Sequence, residues 1–382
     1  MCGGCGGGAR QGMSRRALLG RAGAAGAALG LGMWSAGGAA AAPVGSASLG
    51  SLGRTAPSGD DGRFSVVLLG TMAGPPILPD RSGIASAVVV DGRVYVVDCG
   101  RGSCTQYVRS GLRLDAIEAI FLTHLHADHI TDYYNFFMLG GNMPNRFDDH
   151  ITRTVKVYGP GSAGGLPPAF GGAQVPTIGS DPTPGTAQMT RDLHDAYAYT
   201  SNIFLRDSGV ADVRTLVDAR DIAVPEVGAN FQATAPDMDP FVVYEDDRVQ
   251  VSAILVPHGV CYPAFAFRFD TDYGSVVFSG DTTYTDNIPR LAQGTDLLVH
   301  EAINVEGSNM PPAMRSHMLE SHVEVQKVGA IAERCAARRL VLSHIGDISH
   351  GTIDSPTWRA WAQAGYLGRA EVGEDLQRIV LA

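Results

Sequence analysis

The sequence predicts an α/β fold in four layers, helices covering two packed sheets, with an inserted cap-like segment. Three observations carry that expectation. Short β-rich apolar runs recur in both halves of the chain, helical patterns lie between the later ones, and potential metal-binding side chains stand where several runs stop.

The folded part is expected to begin near Arg63. Strand-like runs follow at Phe64–Leu69, Ala85–Val90 and Val94–Val97, and Asp91-Gly92 between the last two is a hairpin signal. Ile120–Leu122 is another apolar strand. A second strand-rich stretch covers Phe241–Tyr244, Val249–Val256, Ala264–Phe269 and Val276–Phe278, and Leu297–Val299 and Leu340–Leu342 continue it. Ser321 with Glu324 forms a Ser-x-x-Glu capping box, and Val325, Val328, Ala332 and Cys335 recur at spacings of three and four, so a helix is expected from His322 to Ala337. Residues 162–235 are rich in Pro and Gly and become helical around Thr190–Phe204, which reads as the insertion.

The N-terminus differs in composition. Ser14-Arg15-Arg16-Ala17-Leu18-Leu19 precedes a Gly/Ala/Leu run reaching Ala42, then Pro43, the pattern of a twin-arginine export signal over residues 1–47. That run is too rich in Gly and Ala for a lasting membrane span, and residues 48–62 read as a linker before a hydrolase domain over 63–382. A periplasmic or extracellular location follows as an expectation. The chain has a formal charge of −10, and residues 1–47 hold four arginines and no acid, so the remainder carries −10 − 4 = −14. Such a surface disfavours non-specific nucleic-acid binding. Of the four cysteines beyond the leader, Cys99 and Cys104 could pair in an oxidising compartment, and buried free thiols are the alternative.

The chemistry concentrates in Thr123-His124-Leu125-His126-Ala127-Asp128-His129. His124 and His126 alternate at the end of a strand and Asp128 and His129 follow at once, so four good ligands for zinc or a similar divalent ion meet on one loop. Further candidates follow other apolar runs: His258 in Val256-Pro257-His258-Gly259, Asp281 in Ser279-Gly280-Asp281-Thr282, and His344 in Leu342-Ser343-His344-Ile345. Loops at strand ends are where a rigid scaffold presents function.

These motifs, in this order, resemble the metallo-β-lactamase superfamily, and within it the branch of ribonuclease Z and arylsulfatase-like phosphodiesterases. The resemblance covers roughly Phe64–Tyr158 and Phe241–Leu381, with Val97-Asp98-Cys99-Gly100, Tyr158-Gly159-Pro160-Gly161 and Val299-His300-Glu301-Ala302 matching further motifs of the branch. It implies the metallo-β-lactamase fold and two divalent ions, zinc first and manganese or iron as alternatives. One ion is assigned to His124, His126 and His258, the other to Asp128, His129 and His344, with Asp281 bridging and Asp128 also counted as catalytic. His322 stands where the branch has a non-ligand His that gives a proton to the leaving oxygen, with Glu301 beside it.

Ribonuclease Z usually carries a Thr-containing His motif where this chain has His322-Val323, and the Lys-rich arm that grasps tRNA is not found. With the acidic charge and the expected export, this points to a small phosphodiester or sulfate ester as substrate and no nucleic acid as partner. Lactone or other carboxyl-ester hydrolysis is the alternative reaction, and a secreted metal- or ligand-binding module the non-enzymatic one. A homodimer is compatible with all of these.

Overall fold

Alternation along the first strand, β1 (Phe64–Gly70), sets the number of layers. Val66 and Leu68 enter one core, Val67 and Leu69 another, and all four are buried. A strand that is apolar on both faces must be covered on both, here by a second sheet on one side and helices on the other. The computed structural model describes residues 62–382 apart from Asn142, Arg146 and His350. The leader and most of the linker therefore lie outside the described residues. Among the described residues no helix is long and apolar enough to cross a membrane.

The remaining strands are, in chain order, β2 (Ala85–Val90), β3 (Arg93–Val97), β4 (Ile117–Phe121), β5 (Val155–Pro160), β6 (Val217–Ile222), β7 (Phe241–Glu245), β8 (Val249–Leu255), β9 (Phe265–Thr271), β10 (Gly274–Phe278), β11 (Leu297–Asn304), β12 (Arg339–Asp347), β13 (Arg369–Val372) and β14 (Arg378–Val380). One sheet runs β14-β1-β2-β3-β4-β5-β6 and the other β13-β12-β11-β10-β9-β8-β7. The first is antiparallel from β14 to β3 and parallel from β3 to β6. In the second, β10 to β13 are parallel and β7 to β10 antiparallel. Helices Ser103–Arg109, Asn135–Met138 and Thr186–Ala196 pack on the outer face of the first sheet. Asn287–Ala292, Val325–Arg334 and Ser355–Gln363 cover the second, and the four expected layers are present.

Two local expectations change. Part of the segment expected to be an insertion belongs to the sheet: β6 pairs with β5 over six residues, and Thr186 and Thr190 of the preceding helix are buried against Pro160 and Tyr133. A Pro/Gly-rich loop hides such a crossover, because only the alternation within Val217–Ile222 marks the strand. The helix expected from His322 begins at Val325. Ser321 instead donates to the His317 carbonyl, and 322–324 runs extended beside β11, where the Ile303 N–H donates to the Val323 carbonyl at 2.9 Å. Of the two alternatives left open for Cys99 and Cys104, the structure has the free thiols.

The sheets meet on aromatic rings. Phe121, fully buried at the end of β4, has ring centroids of Tyr158, Tyr244, Phe267 and Phe269 at 5.6, 5.7, 5.6 and 5.3 Å. Its backbone leads directly into Thr123 and His124, so this packing also anchors the metal-ligand loop. Phe121→Ala should lower unfolding free energy by about 3–5 kcal/mol in urea denaturation, through lost burial and the cavity left behind. A loss under about 1 kcal/mol would show that the cluster is not a main contact between the sheets.

Candidate metal centre

Chain direction gathers the site. β3, β4 and β5 run parallel in one sheet, β10, β11 and β12 in the other, and the residues just beyond or at their carboxyl ends meet between the sheets. Among the described residues the seven candidates fall in two clusters, each with one candidate ligand atom per residue and all atoms within 4.8 Å of one another: His124, His126 and His258 in one, Asp128, His129, Asp281 and His344 in the other; two overlapping groups take in His322, one with His258 and Asp281 and one with Glu301 and His344. The seven side chains proposed from the sequence are thus brought together, in the grouping the family resemblance implied.

Asp281 lies at the centre. Its carboxylate is 3.3 Å from His129 Nε2, 3.2 Å from His344 Nε2, 3.6 Å from His258 Nε2 and 3.8 Å from His124 Nε2. It therefore touches both clusters, as a bridging ligand must. His258 Nε2 and His126 Nδ1 face each other at 3.0 Å, and His344 Nε2 is 3.3 Å from Asp128 Oδ2. His344 was expected just after a strand, but β12 continues through it. The pairing of β11 with β12 shifts between His300 and Ala302, and His344 has a left-handed backbone at φ 56°. A bulge of this kind re-aims one side chain without ending the strand.

Neighbouring groups fix the rings. His258 Nδ1 donates to the Ser321 carbonyl at 2.9 Å, leaving Nε2 to the cluster. His129 Nδ1 donates to Asp98 Oδ2 at 2.8 Å, and Asp98 also accepts from the Thr123 N–H and hydroxyl at 2.8 Å each. Asp98 is thus a positioning residue to which the sequence reading gave no role, although it stands after an apolar strand as Asp281 does. Carboxylate partners of this sort orient a ligand imidazole and raise its basicity. Gly74 was missed too. Its N–H donates to Asp128 Oδ2 at 3.0 Å, and a Cβ there would come within 2.2 Å of that carboxylate.

The protonation states suit a cation. Burial pushes His124 and His126 down, and His258 down to about 3, so these imidazoles are neutral, as metal ligation requires. Burial opposes ionisation of Asp128 and Asp281, yet the surrounding histidines hold both below the usual carboxylate range. Burial alone would also lower His129, but Asp281 and Asp98 raise it well above the ordinary value, so without a cation it supplies the compensating charge. His124 Nε2 is buried without a hydrogen-bond partner, and His129 Nε2 and Asp281 Oδ1, also buried, have only each other at 3.3 Å, out of good hydrogen-bond geometry. Buried polar atoms are nearly always satisfied, and orphaned ligand atoms aimed at one another fit a metal ion.

Beside this cradle, His322 Nδ1 donates to Glu301 Oε1 at 3.2 Å. Glu301, buried in β11, also accepts from the Val323 N–H at 3.1 Å and the Thr282 N–H at 3.3 Å. Burial disfavours the imidazolium, but the Glu301 carboxylate outweighs it and His322 is pushed up to about 9. No helix N-terminus opposes this charge at His322, since the helix starts three residues later, at Val325.

A two-sheet α/β sandwich with clustered His and Asp ligands at its strand ends defines the class of metal-dependent hydrolases built on this fold. A model described as the metallo-beta-lactamase superfamily matches residues 80–136, and one described as a beta-lactamase superfamily domain matches 199–345. Ribonuclease Z of Mycobacterium bovis is 31% identical over 319 residues, 83% of this chain and 98% of that protein. Ribonuclease Z of Mycobacterium tuberculosis is 29% identical over 83% and 97%. Among solved structures, human tRNase Z, short form, has a TM-score of 0.55 at 21% identity over 83% of this chain and 99% of its own. The protein YhfI from Bacillus subtilis has a TM-score of 0.53 at 16% identity over 83% and 98%. The chain belongs to the metallo-β-lactamase superfamily, as a hydrolase of the branch that contains ribonuclease Z.

One expectation is overturned by these relatives. A small-molecule ester as substrate with no nucleic-acid partner conflicts with homologues named ribonuclease Z across nearly their full length. Net charge was a poor guide, because it sums over the whole surface whereas RNA is met by the groups around one site.

Asp281→Ala should lower bound metal well below two ions per chain by elemental analysis; full two-ion occupancy would exclude the bridging role. Gly74→Ala should weaken metal binding by displacing Asp128. Gly161→Ala, whose added Cβ would meet nothing closer than 3.4 Å, should bind as wild type in the same chelator competition.

Proposed function

We propose that this chain hydrolyses phosphodiester bonds in RNA at a dinuclear centre, with zinc the first candidate metal. Identity to ribonuclease Z over almost all of that protein supports the substrate class. The observation that carries the reaction is the His322–Glu301 pair set beside the two ligand clusters. His124, His126 and His258 would hold one ion and Asp128, His129 and His344 the other, with Asp281 shared. Two such ions supply activation of water and neutralisation of charge on the phosphodiester.

The remaining steps belong to the chain. Asp98 and Ser321 hold His129 and His258 in the tautomers ligation needs. Glu301, anchored by two backbone N–H groups, keeps a proton on His322 at neutral pH. His322 delivers that proton to the departing sugar oxygen, a poor leaving group that gains most from general acid catalysis. The Arg15-Arg16 leader favours action outside the cytoplasm, which mass spectrometry of secreted protein would test through cleavage between about Ala41 and Ser48.

His322→Ala should retain both metals and lose about 10²–10⁴-fold in kcat on an RNA oligonucleotide. Bis-p-nitrophenyl phosphate, whose leaving group departs without a proton, should suffer far less. Glu301→Gln should move the basic limb of the RNA rate profile to lower pH, because removing the carboxylate lowers the pKa of the imidazolium. Equal losses on both substrates would contradict proton donation, and loss of metal would make His322 a ligand.

A further inference from the structure

A cavity of about 30 Å³ lies between the two sheets, against His129, Asp281 and His344. Four further features of its wall stand out: His300 and Glu301 of β11 and Ser343 and His344 of β12 all line it, and none is more than 3% exposed. Each contributes one buried polar atom with no hydrogen-bond partner in the protein, namely His300 Nε2, Glu301 Oε2, Ser343 Oγ and His344 Nδ1. Buried polar atoms are rarely left unpaired, and four in the wall of one cavity point to a polar occupant. A water molecule needs about 10–15 Å³, so the cavity has room for one or two.

The four atoms are complementary to one water. His300 Nδ1 donates to the Glu301 carbonyl at 2.7 Å, and burial pushes this imidazole down, so it is neutral and its Nε2 accepts. Glu301 Oε1 already takes the donors of His322, Val323 and Thr282, which leaves Oε2 as the second acceptor. His344 turns Nε2 toward Asp128 and Asp281 at 3.3 and 3.2 Å, so as a ligand it carries its hydrogen on Nδ1, and the Ser343 hydroxyl is the second donor. Two donors and two acceptors match the four bonds of a water molecule. One ring nitrogen of His344 and one oxygen of Glu301 lie within 4.8 Å of each other. Two hydrogen bonds of about 2.8 Å at a tetrahedral angle span about 4.6 Å. His344 also differs from its neighbours among the ligands. Asp98 holds the second nitrogen of His129, the Ser321 carbonyl that of His258, and the Thr123 hydroxyl, at 3.1 Å, that of His124.

We propose that one buried water, held by His300 and Ser343, joins His344 to Glu301, which makes His300 and Ser343 positioning residues for the ion that Asp128, His129 and His344 would hold. The inference rests on the dinuclear reading above and is independent of the substrate. Glu301 then steadies two groups at once, the proton donor His322 through Oε1 and a metal ligand through Oε2 and the water. A ligand imidazole whose outer nitrogen is held keeps its orientation and its basicity, and a bridging water serves nearly as well as a direct partner.

The test joins a high-resolution crystal structure of the zinc-loaded protein to zinc retention in chelator competition. The density should show one water within hydrogen-bonding distance of all four atoms; direct pairing among them, or a dry cavity, would overturn the proposal. Ser343→Val, whose added methyl groups occupy the cavity, should weaken one of the two ions about 10–100-fold and the other far less. Ser343→Ala leaves the water its room and three partners, and should stay much nearer wild type. His300→Leu should lose one ion as the valine variant does, and His300→Gln, whose amide oxygen accepts in place of Nε2, should recover most of that loss. This second pair serves if valine disturbs folding. A purely structural role would lower unfolding free energy in urea without separating one ion from the other and without recovery by glutamine. Wild-type retention in Ser343→Val and His300→Leu, equal losses in the alanine and valine variants, or no recovery in His300→Gln would overturn the water's role while leaving the dinuclear reading in place. Wild type that retains fewer than two ions would overturn the dinuclear reading, and the positioning role with it.

Discussion

The buried carboxylate of Asp281 is the constraint around which this molecule is arranged. A carboxylate removed from water is costly unless opposite charge or donors surround it. Here four imidazoles approach it within 3.8 Å, two from the loop after β4, one from the loop after β8 and one from the bulge in β12. Bringing those segments to one point requires both sheets, their parallel strands and the aromatic packing around Phe121. The same arrangement leaves ligand atoms buried without hydrogen bonds, a cost that a bound cation removes. Fold and chemistry are thereby coupled, since the groups that destabilise the empty cradle are those that bind the metal.

Much of this was legible because the signals were local. Runs such as Val249–Leu255 and Val276–Phe278 are apolar enough to mark strands, and His124 to His129 compresses four ligands into one loop. The exceptions depended on partners distant in the chain. His344 is aimed by a bulge against β11, which no pattern within Leu342-Ser343-His344 announces. His322 looked like the first turn of a helix because Ser321 and Glu324 have capping-box spacing, but pairing beside β11 competes for the same backbone and prevails. Gly74 could not be recognised without knowing that Asp128 lies against its backbone.

The correction about substrate has a similar origin. Composition reports the average of the surface, and a chain at −10 can still recognise an anion through metal ions and a few well-placed groups. The His322–Glu301 pair points the same way. A held proton is of little use against an activated ester and of great use against a sugar hydroxyl as leaving group. Sequence identity to ribonuclease Z and the local acid chemistry are independent of each other, and both favour a phosphodiester between nucleosides.

The most direct test is a metal titration followed by cleavage. Protein stripped with a chelator would be titrated with zinc, and bound metal and cleavage of a labelled RNA would be measured in the same samples. Stripped protein should give no cleavage, and activity should rise in step with occupancy up to two ions per chain. Cleavage by stripped protein, or intact RNA in the presence of protein carrying two ions, would contradict it.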